Sequence, residues 1–251
     1  MNKIDNTHHT THQPNDKKKI NLPDAHIERA HRKGKEILQE LEDDSPVIMR
    51  ELKEGLEAIA KYPKSVTIFG SARLKPGSKY YELTRELAAK ISEKGYAVIT
   101  GGGPGIMQAG NEGSKEATGV SVGFNIELPF EQVINPHVTH GVGFHYFFTR
   151  KFAMNFSGEA YICMPGGFGT MDEFFQILTL VQTKKVQKIP IILFGSEFWN
   201  PIVEYSRKTL FEEFETISEK DLDLFVVSDS IDEVLEIVEN APARQEYYNE
   251  A

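Results

Sequence analysis

From residue 65 onward one unit recurs, and it narrows the fold to a single class. A short, almost wholly apolar run ends in a small-residue turn, and a longer amphipathic segment follows. SVTIFGSAR, YAVITGGGPG and EAYICMPGGFG are three such runs; YYELTRELAAKISEKG, IMQAGNEGSKEATG and TMDEFFQILTLVQTKK are the segments that follow them. VSVGFNIEL, KIPIILFG and DLFVVSD are further apolar runs, and helices are expected at 145–158, at 202–214 and over IDEVLEIVEN. A strand with apolar side chains at successive positions has no solvent face, so it belongs in a parallel sheet covered on both sides. Right-handed crossovers make such a sheet doubly wound. The chain therefore reads as α/β: a doubly wound, mainly parallel, Rossmann-like sheet flanked by helices.

Four stretches follow along the 251 residues. Residues 1–20 form a polar, disordered arm, and 21–63 an N-terminal helical extension of two helices, 23–43 and 47–61. Ser45-Pro46 punctuates the two. Residues 64–240 are one α/β domain with no internal repeat, and 241–251 a polar C-terminal tail.

The formal net charge of −9 excludes a general nucleic-acid grip, which needs clustered Lys and Arg. No stretch approaches the roughly 20 apolar residues of a membrane helix, and the N-terminus lacks the apolar region of a signal peptide. The single cysteine, Cys163, reads as a small core residue in a reducing compartment, so a soluble cytoplasmic protein is expected. His8, His9 and His12 in the arm have no scaffold for a metal. His137, His140 and His145 lack helical ligand spacing and a partner cluster, so no metal and no cofactor is expected.

Three strand ends carry small residues: Gly70-Ser71-Ala72, Gly101-Gly102-Gly103-Pro104-Gly105 and Pro165-Gly166-Gly167-Phe168-Gly169-Thr170. Ligands of open parallel sheets bind beyond the carboxyl ends of strands. Glycines there let backbone N–H groups approach an anion, and the next helix start adds partial positive charge. The alternative is a tight turn needing φ > 0 and nothing more; two glycine-rich turns on one edge weigh against it. The second loop does not read G-x-G-x-x-G, and no G-x-x-x-x-G-K-[ST] is present. A mononucleotide fits better than a dinucleotide.

Asp172 and Glu173 are expected in the first turn of the helix beginning at Gly169-Thr170. Complementing the helix dipole and catalysis both stay open for them. Neighbouring helical positions point about 100° apart, so only one can aim at a given ligand; Glu173 shares a face with Thr170. Arg150 and Lys151 interrupt the aromatic run HYFFTRKFAMNF. One is expected to snorkel to solvent and the other to reach an anion or a carboxylate, with Arg the better anchor. The phenylalanines around them read as packing.

Taken together, GGGPGIM at 101–107, Arg150-Lys151 and PGGFGTMDE at 165–173 resemble the LONELY GUY (LOG) family, whose motifs are G-G-G-x-x-G-x-M and P-G-G-x-G-T-x-x-E. The first is shortened here to G-G-G-x-G-x-M; the second matches at every fixed position. The resemblance runs from about residue 65 to 238 and leaves out the arm and the helices before it. It implies hydrolysis of the N-glycosidic bond of nucleoside 5′-monophosphates, AMP or cytokinin-type nucleotides, to free base and ribose 5-phosphate. It also implies a homodimer or higher homo-oligomer. Arg150 and Glu173 become the catalytic pair, and Gly166, Gly167, Gly169 and Thr170 the phosphate turn. Gly102, Gly103 and Met107 would line the nucleotide cleft, with Ser71, Arg73 and Lys151 as further contacts. The lysine decarboxylase label carried by many such sequences finds no pyridoxal-phosphate lysine setting here. A non-catalytic nucleotide-binding or sensing protein is the competing reading.

Overall fold

The structure, a computed structural model, describes residues 34–127 and 134–242. The arm with its three histidines, the start of the 23–43 helix and most of the 241–251 tail lie outside the described residues. Seven strands among the described residues make one sheet: β1 (Ser65–Phe69), β2 (Ala97–Thr100), β3 (Ser121–Ile126), β4 (His140–Phe144), β5 (Ala160–Cys163), β6 (Ile191–Phe194) and β7 (Val226–Ser228). Their order is β4-β3-β2-β1-β5-β6-β7, and every pair is parallel. β1, β2, β5 and β6 are buried at every position, as continuous apolar runs require.

Helices cover both faces. One face packs α1 (Gly34–Ala60), α4 (Phe147–Asn155), α5 (Phe168–Gln182) and α6 (Ser196–Tyr205) on Phe69, Ile99, Phe124, Phe144, Tyr161 and Leu193. The other packs α2 (Lys79–Glu93), α3 (Ile106–Glu116) and α7 (Ile231–Glu239) on Val66, Ile68, Val98, Ile162 and Phe194. Trp199 of α6 is fully buried and still satisfies its indole N–H, 3.0 Å from the Cys163 carbonyl. Among the described residues no helix is long and apolar enough to cross a membrane.

Three expectations change. Among the described residues the extension holds one helix across the expected break, not two: α1 runs unbroken through Pro46. Proline cannot donate to the carbonyl four residues back, but the Ser45 hydroxyl takes its place, 2.9 Å from Glu42 O. The stretch before residue 145 is not all loop, because HGVGF adds the edge strand β4. The 202–214 helix starts earlier, as α6, where Asp229 Oδ1 accepts the Ser196 N–H at 2.8 Å. It then loosens into a π-helical stretch, Ser206–Glu213.

Candidate active site

Strand order reverses between β1 and β5: the chain builds outward from β1 to β4, then returns to the far side of β1. A crevice opens at the carboxyl ends of strands at such a switch point. The turns after β1, β2 and β5 meet there. Ser71 joins them, its N–H donating to Pro165 O (3.1 Å) and its carbonyl accepting the Ile106 N–H (2.9 Å). Together they wall a cavity of 740 Å3.

The helix start at one wall, that of α5 at Gly167, has no side-chain cap. Its first intrahelical bond is Met171 N–H to Gly167 O, 3.0 Å. The amides of Phe168, Gly169 and Thr170 therefore have no carbonyl one turn back, which makes this end a ready anion site. Phe168 stands 95% exposed at the mouth.

Arg150 enters from α4 on the opposite wall. It is 7% exposed, and its Nε donates to Phe124 O at 2.7 Å. Its Nη1 reaches Glu173 Oε1 at 3.3 Å, where the carboxylate side chain is 17% exposed. Gly101 makes room for the guanidinium, since a Cβ there would collide with Arg150 Nη2 and Met107 Sδ. Burial pushes the Glu173 carboxyl above the usual carboxylate range, and the adjacent Arg150 brings it only part of the way back. The site thus holds a fixed cation beside an acid poised above its ordinary value.

Gly103, Met107, Ser71, Arg73, Arg150, Gly166, Gly167, Gly169, Thr170 and Glu173 all line this one cavity. Gly102 and Lys151 are not on its wall. Gly102 lies behind it, its N–H 3.0 Å from Thr100 Oγ1. Lys151 points about 100° round the helix from Arg150 and pairs with Asp172 at 2.8 Å. Asp172 and Glu173 are not in the first turn either. α5 begins at Phe168, so both acids stand in the second turn, and Asp172 meets a lysine rather than the helix dipole. His140 and His145 are engaged by Tyr62 and Glu127. Cys163 is fully buried; its thiol is pushed up by burial and by the charge of Glu173.

Sequence reasoning did not find Asn125 and Ile126, which line the cavity from the end of β3. Nor did it find the support of the Gly101 turn. Asn135 Nδ2, with two hydrogens to give, lies 3.0, 3.0 and 2.9 Å from Gly102 O, Gly103 O and Asn111 Oδ1. Asn111 in turn binds Thr100, Ser121 and Val122. Two asparagines far apart in a sequence carry no motif, although a polar side chain on the buried face of a predicted helix was a signal in the case of Asn111.

Residues 107–238 match the model of a family described as "possible lysine decarboxylase". The cytokinin riboside 5′-monophosphate phosphoribohydrolase of Rhodococcoides fascians is 30% identical over 160 residues, 61% of this chain and 79% of that protein. The enzyme of the same name, LOG, from Oryza sativa subsp. japonica is 27% identical over 166 residues, covering 63% of this chain and 66% of its own length. The molybdenum cofactor binding protein of Rippkaea orientalis shares the fold, with a TM-score of 0.54 at 17% identity over 70% of this chain and 95% of that one. The match to the family model spans more than half the chain and includes the helix of Arg150 and the turn before Glu173, and this chain belongs to that family, the LOG family.

Proposed function

We propose that this protein hydrolyses the N-glycosidic bond of nucleoside 5′-monophosphates, AMP or cytokinin-type nucleotides, to free base and ribose 5-phosphate. One observation carries the reading: buried Arg150 holds Glu173 at the wall of the same cavity that the uncapped start of α5 faces. The names of the relatives support it.

In this reading the 5′-phosphate binds the amides at Gly167, Phe168, Gly169 and Thr170, with Gly166 keeping the turn close. Gly103 and Met107 flank the nucleoside, and Ser71 and Arg73 stand at the entrance. Gly102 and Lys151 act from behind the wall, one holding the loop and the other tying α4 to α5 through Asp172. Cleaving the C1′–N bond builds positive charge on the ribose, as in glycoside hydrolysis. Ionised Glu173 stabilises that charge and orients the attacking water; the Arg150 charge favours the ionised form and aims it. Water forms the new bond to C1′, and the base leaves with the old bonding pair and takes up a proton. Phosphate binding, remote from the reacting bond, places C1′ against Glu173.

The family description names a different chemistry. A pyridoxal group for decarboxylation is anchored as a Schiff base on lysine. Among the described residues lining the cavity there is no lysine, and Lys151 faces Asp172. These residues do not fit that group.

The reading includes a homodimer or higher homo-oligomer in the cytoplasm. Phe147, Phe148 and Phe152 of α4 and Phe175 of α5 are each more than 40% exposed on neighbouring helices, an apolar face of the kind that marks an interface. Light scattering in solution reads the subunit number.

The deciding assay is chromatographic analysis of products from AMP, GMP, CMP, UMP and isopentenyl-adenosine monophosphate. Free base and ribose 5-phosphate are expected from at least one, with adenosine left largely untouched. Binding of monophosphates by calorimetry with no base released from any of them would assign a non-catalytic nucleotide-binding role instead.

A further inference from the structure

The helix that precedes the α/β domain is tied to the helix of Arg150 through one buried carboxylate. Glu51, near the middle of α1, is 3% exposed and faces the joint between β4 and α4. Its Oε1 accepts the His145 N–H at 2.7 Å, and its Oε2 accepts the Tyr146 N–H at 3.4 Å. The Thr149 hydroxyl lies 2.5 Å from the same Oε2 and 2.8 Å from Tyr146 O. α4 has no side-chain cap of its own at Tyr146, so a carboxylate from another helix stands at its start. A negative group there meets the positive end of the helix dipole.

The same joint leads to Arg150 in one step. Tyr146, held by its N–H to Glu51, gives its carbonyl to the Arg150 N–H at 3.3 Å. One turn further along α1, Gly55 brings the helix against the other end of α4, where a Cβ would stand 2.8 Å from the Ala153 Cβ. α1 therefore grips α4 on both sides of Arg150, at Tyr146 before it and at Ala153 after it. A buried carboxylate is a costly way to join two helices, and its three donors all belong to the segment that aims Arg150.

We infer that Glu51 is a positioning residue, which sets the placement of α4 and so of the Arg150 guanidinium against Glu173. Its kinetic consequence rests on the phosphoribohydrolase reading. The phosphate turn belongs to β5 and α5, not to α4, so removing Glu51 lowers kcat and spares KM. The N-terminal extension becomes part of the catalytic apparatus.

The test compares Glu51→Ala, Glu51→Gln and Thr149→Val in the full chain, with AMP and the best substrate of the product screen. A shift of Arg150 by about 1 Å predicts a kcat lower by roughly tenfold to a hundredfold in Glu51→Ala, with KM within about twofold. Glu51→Gln keeps one acceptor oxygen and recovers most of the rate; Thr149→Val falls between. Amide hydrogen exchange at 145–150 reads the joint without substrate: it quickens in Glu51→Ala while 166–170 is unchanged. A kcat per folded enzyme equal to the parent's overturns the inference, as does exchange that quickens evenly over the domain. If Glu51→Ala does not fold, parental kcat in both other variants overturns it. If the parent releases no base from any monophosphate, the functional reading fails, and exchange at 145–150 in the variants still decides whether Glu51 holds the joint.

Discussion

Arg150 is held more firmly by the backbone than by its acid. Its Nε stands 2.7 Å from Phe124 O, whereas its Nη1 stands 3.3 Å from Glu173 Oε1. Charge-assisted bonds of this kind usually run about 2.7–2.9 Å, so the pair is loose on the carboxylate side. Glu173 keeps acceptor capacity for something in the cavity, and β3 rather than Glu173 fixes the cation.

That asymmetry sets what Glu173 costs the fold. Its native pKa is raised, because burial outweighs the Arg150 charge. Between the unfolded and the raised native value, the native state holds the proton and the unfolded chain does not, so stability falls as pH rises through that window. Glu173→Gln should therefore unfold at a higher temperature than the parent at pH 8, and the gap should close on acidification. The same variant should lose turnover by at least about a hundredfold while still binding AMP by calorimetry. Near-parental turnover in Glu173→Gln or Glu173→Ala removes Glu173 from the mechanism.

The pH profile follows from the same group. Catalysis needs the carboxylate ionised, so kcat/KM should rise with pH along an acid limb set by Glu173. The Arg150 charge and hydrogen bond pull that pKa downward. Arg150→Gln should move the limb to higher pH as well as lower its plateau. A limb that stays in place in Arg150→Gln shows that another group titrates.

The wound sheet was legible because six of its strands are apolar runs, and burial on two faces leaves such runs few other homes. β4 was not, because HGVGF has two glycines and sits at the sheet edge with an alternating, half-exposed pattern. Pro46 read as a stop because the rule weighs the missing N–H, while the Ser45 hydroxyl that replaces it is a local side-chain choice. PGGFGTMDE identified the helix start, but the turn in which Glu173 stands depends on where α5 begins. Glu51 and Asn135 act across chain separations of about a hundred and a few tens of residues. Only the fold brings them to their partners.

Asn135 ties down the Gly101 turn with one amide. Asn135→Ala takes the side-chain donor from Gly103 O, while Gly102 O keeps the backbone N–H of residue 135 and Asn111 Oδ1 keeps the Thr100 hydroxyl. One carbonyl left short of a donor is a loss of about 1–3 kcal/mol. KM should rise, since the turn is a wall of the nucleotide cavity, and chemical denaturation measures the stability term. Unchanged KM together with parental stability shows that the loop holds its shape by other means.

Two glycines separate function from fold. At Gly101 an added Cβ meets only the tips of side chains, Arg150 Nη2 and Met107 Sδ. These can swing away, so Gly101→Ala should fold with a loss under about 2 kcal/mol. The guanidinium must move, and kcat should fall about tenfold or more. At Gly113 of α3 the Cβ would instead strike the backbone carbonyl of Arg85 in α2. No rotamer relieves that clash, so Gly113→Ala must push apart two helices packed on the second face of the sheet. Thermal unfolding should place Gly113→Ala well below the parent and Gly101→Ala close to it, with the order of kcat per folded enzyme reversed. A Gly101→Ala enzyme at parental kcat means that Arg150 is not held where Gly101 makes room for it.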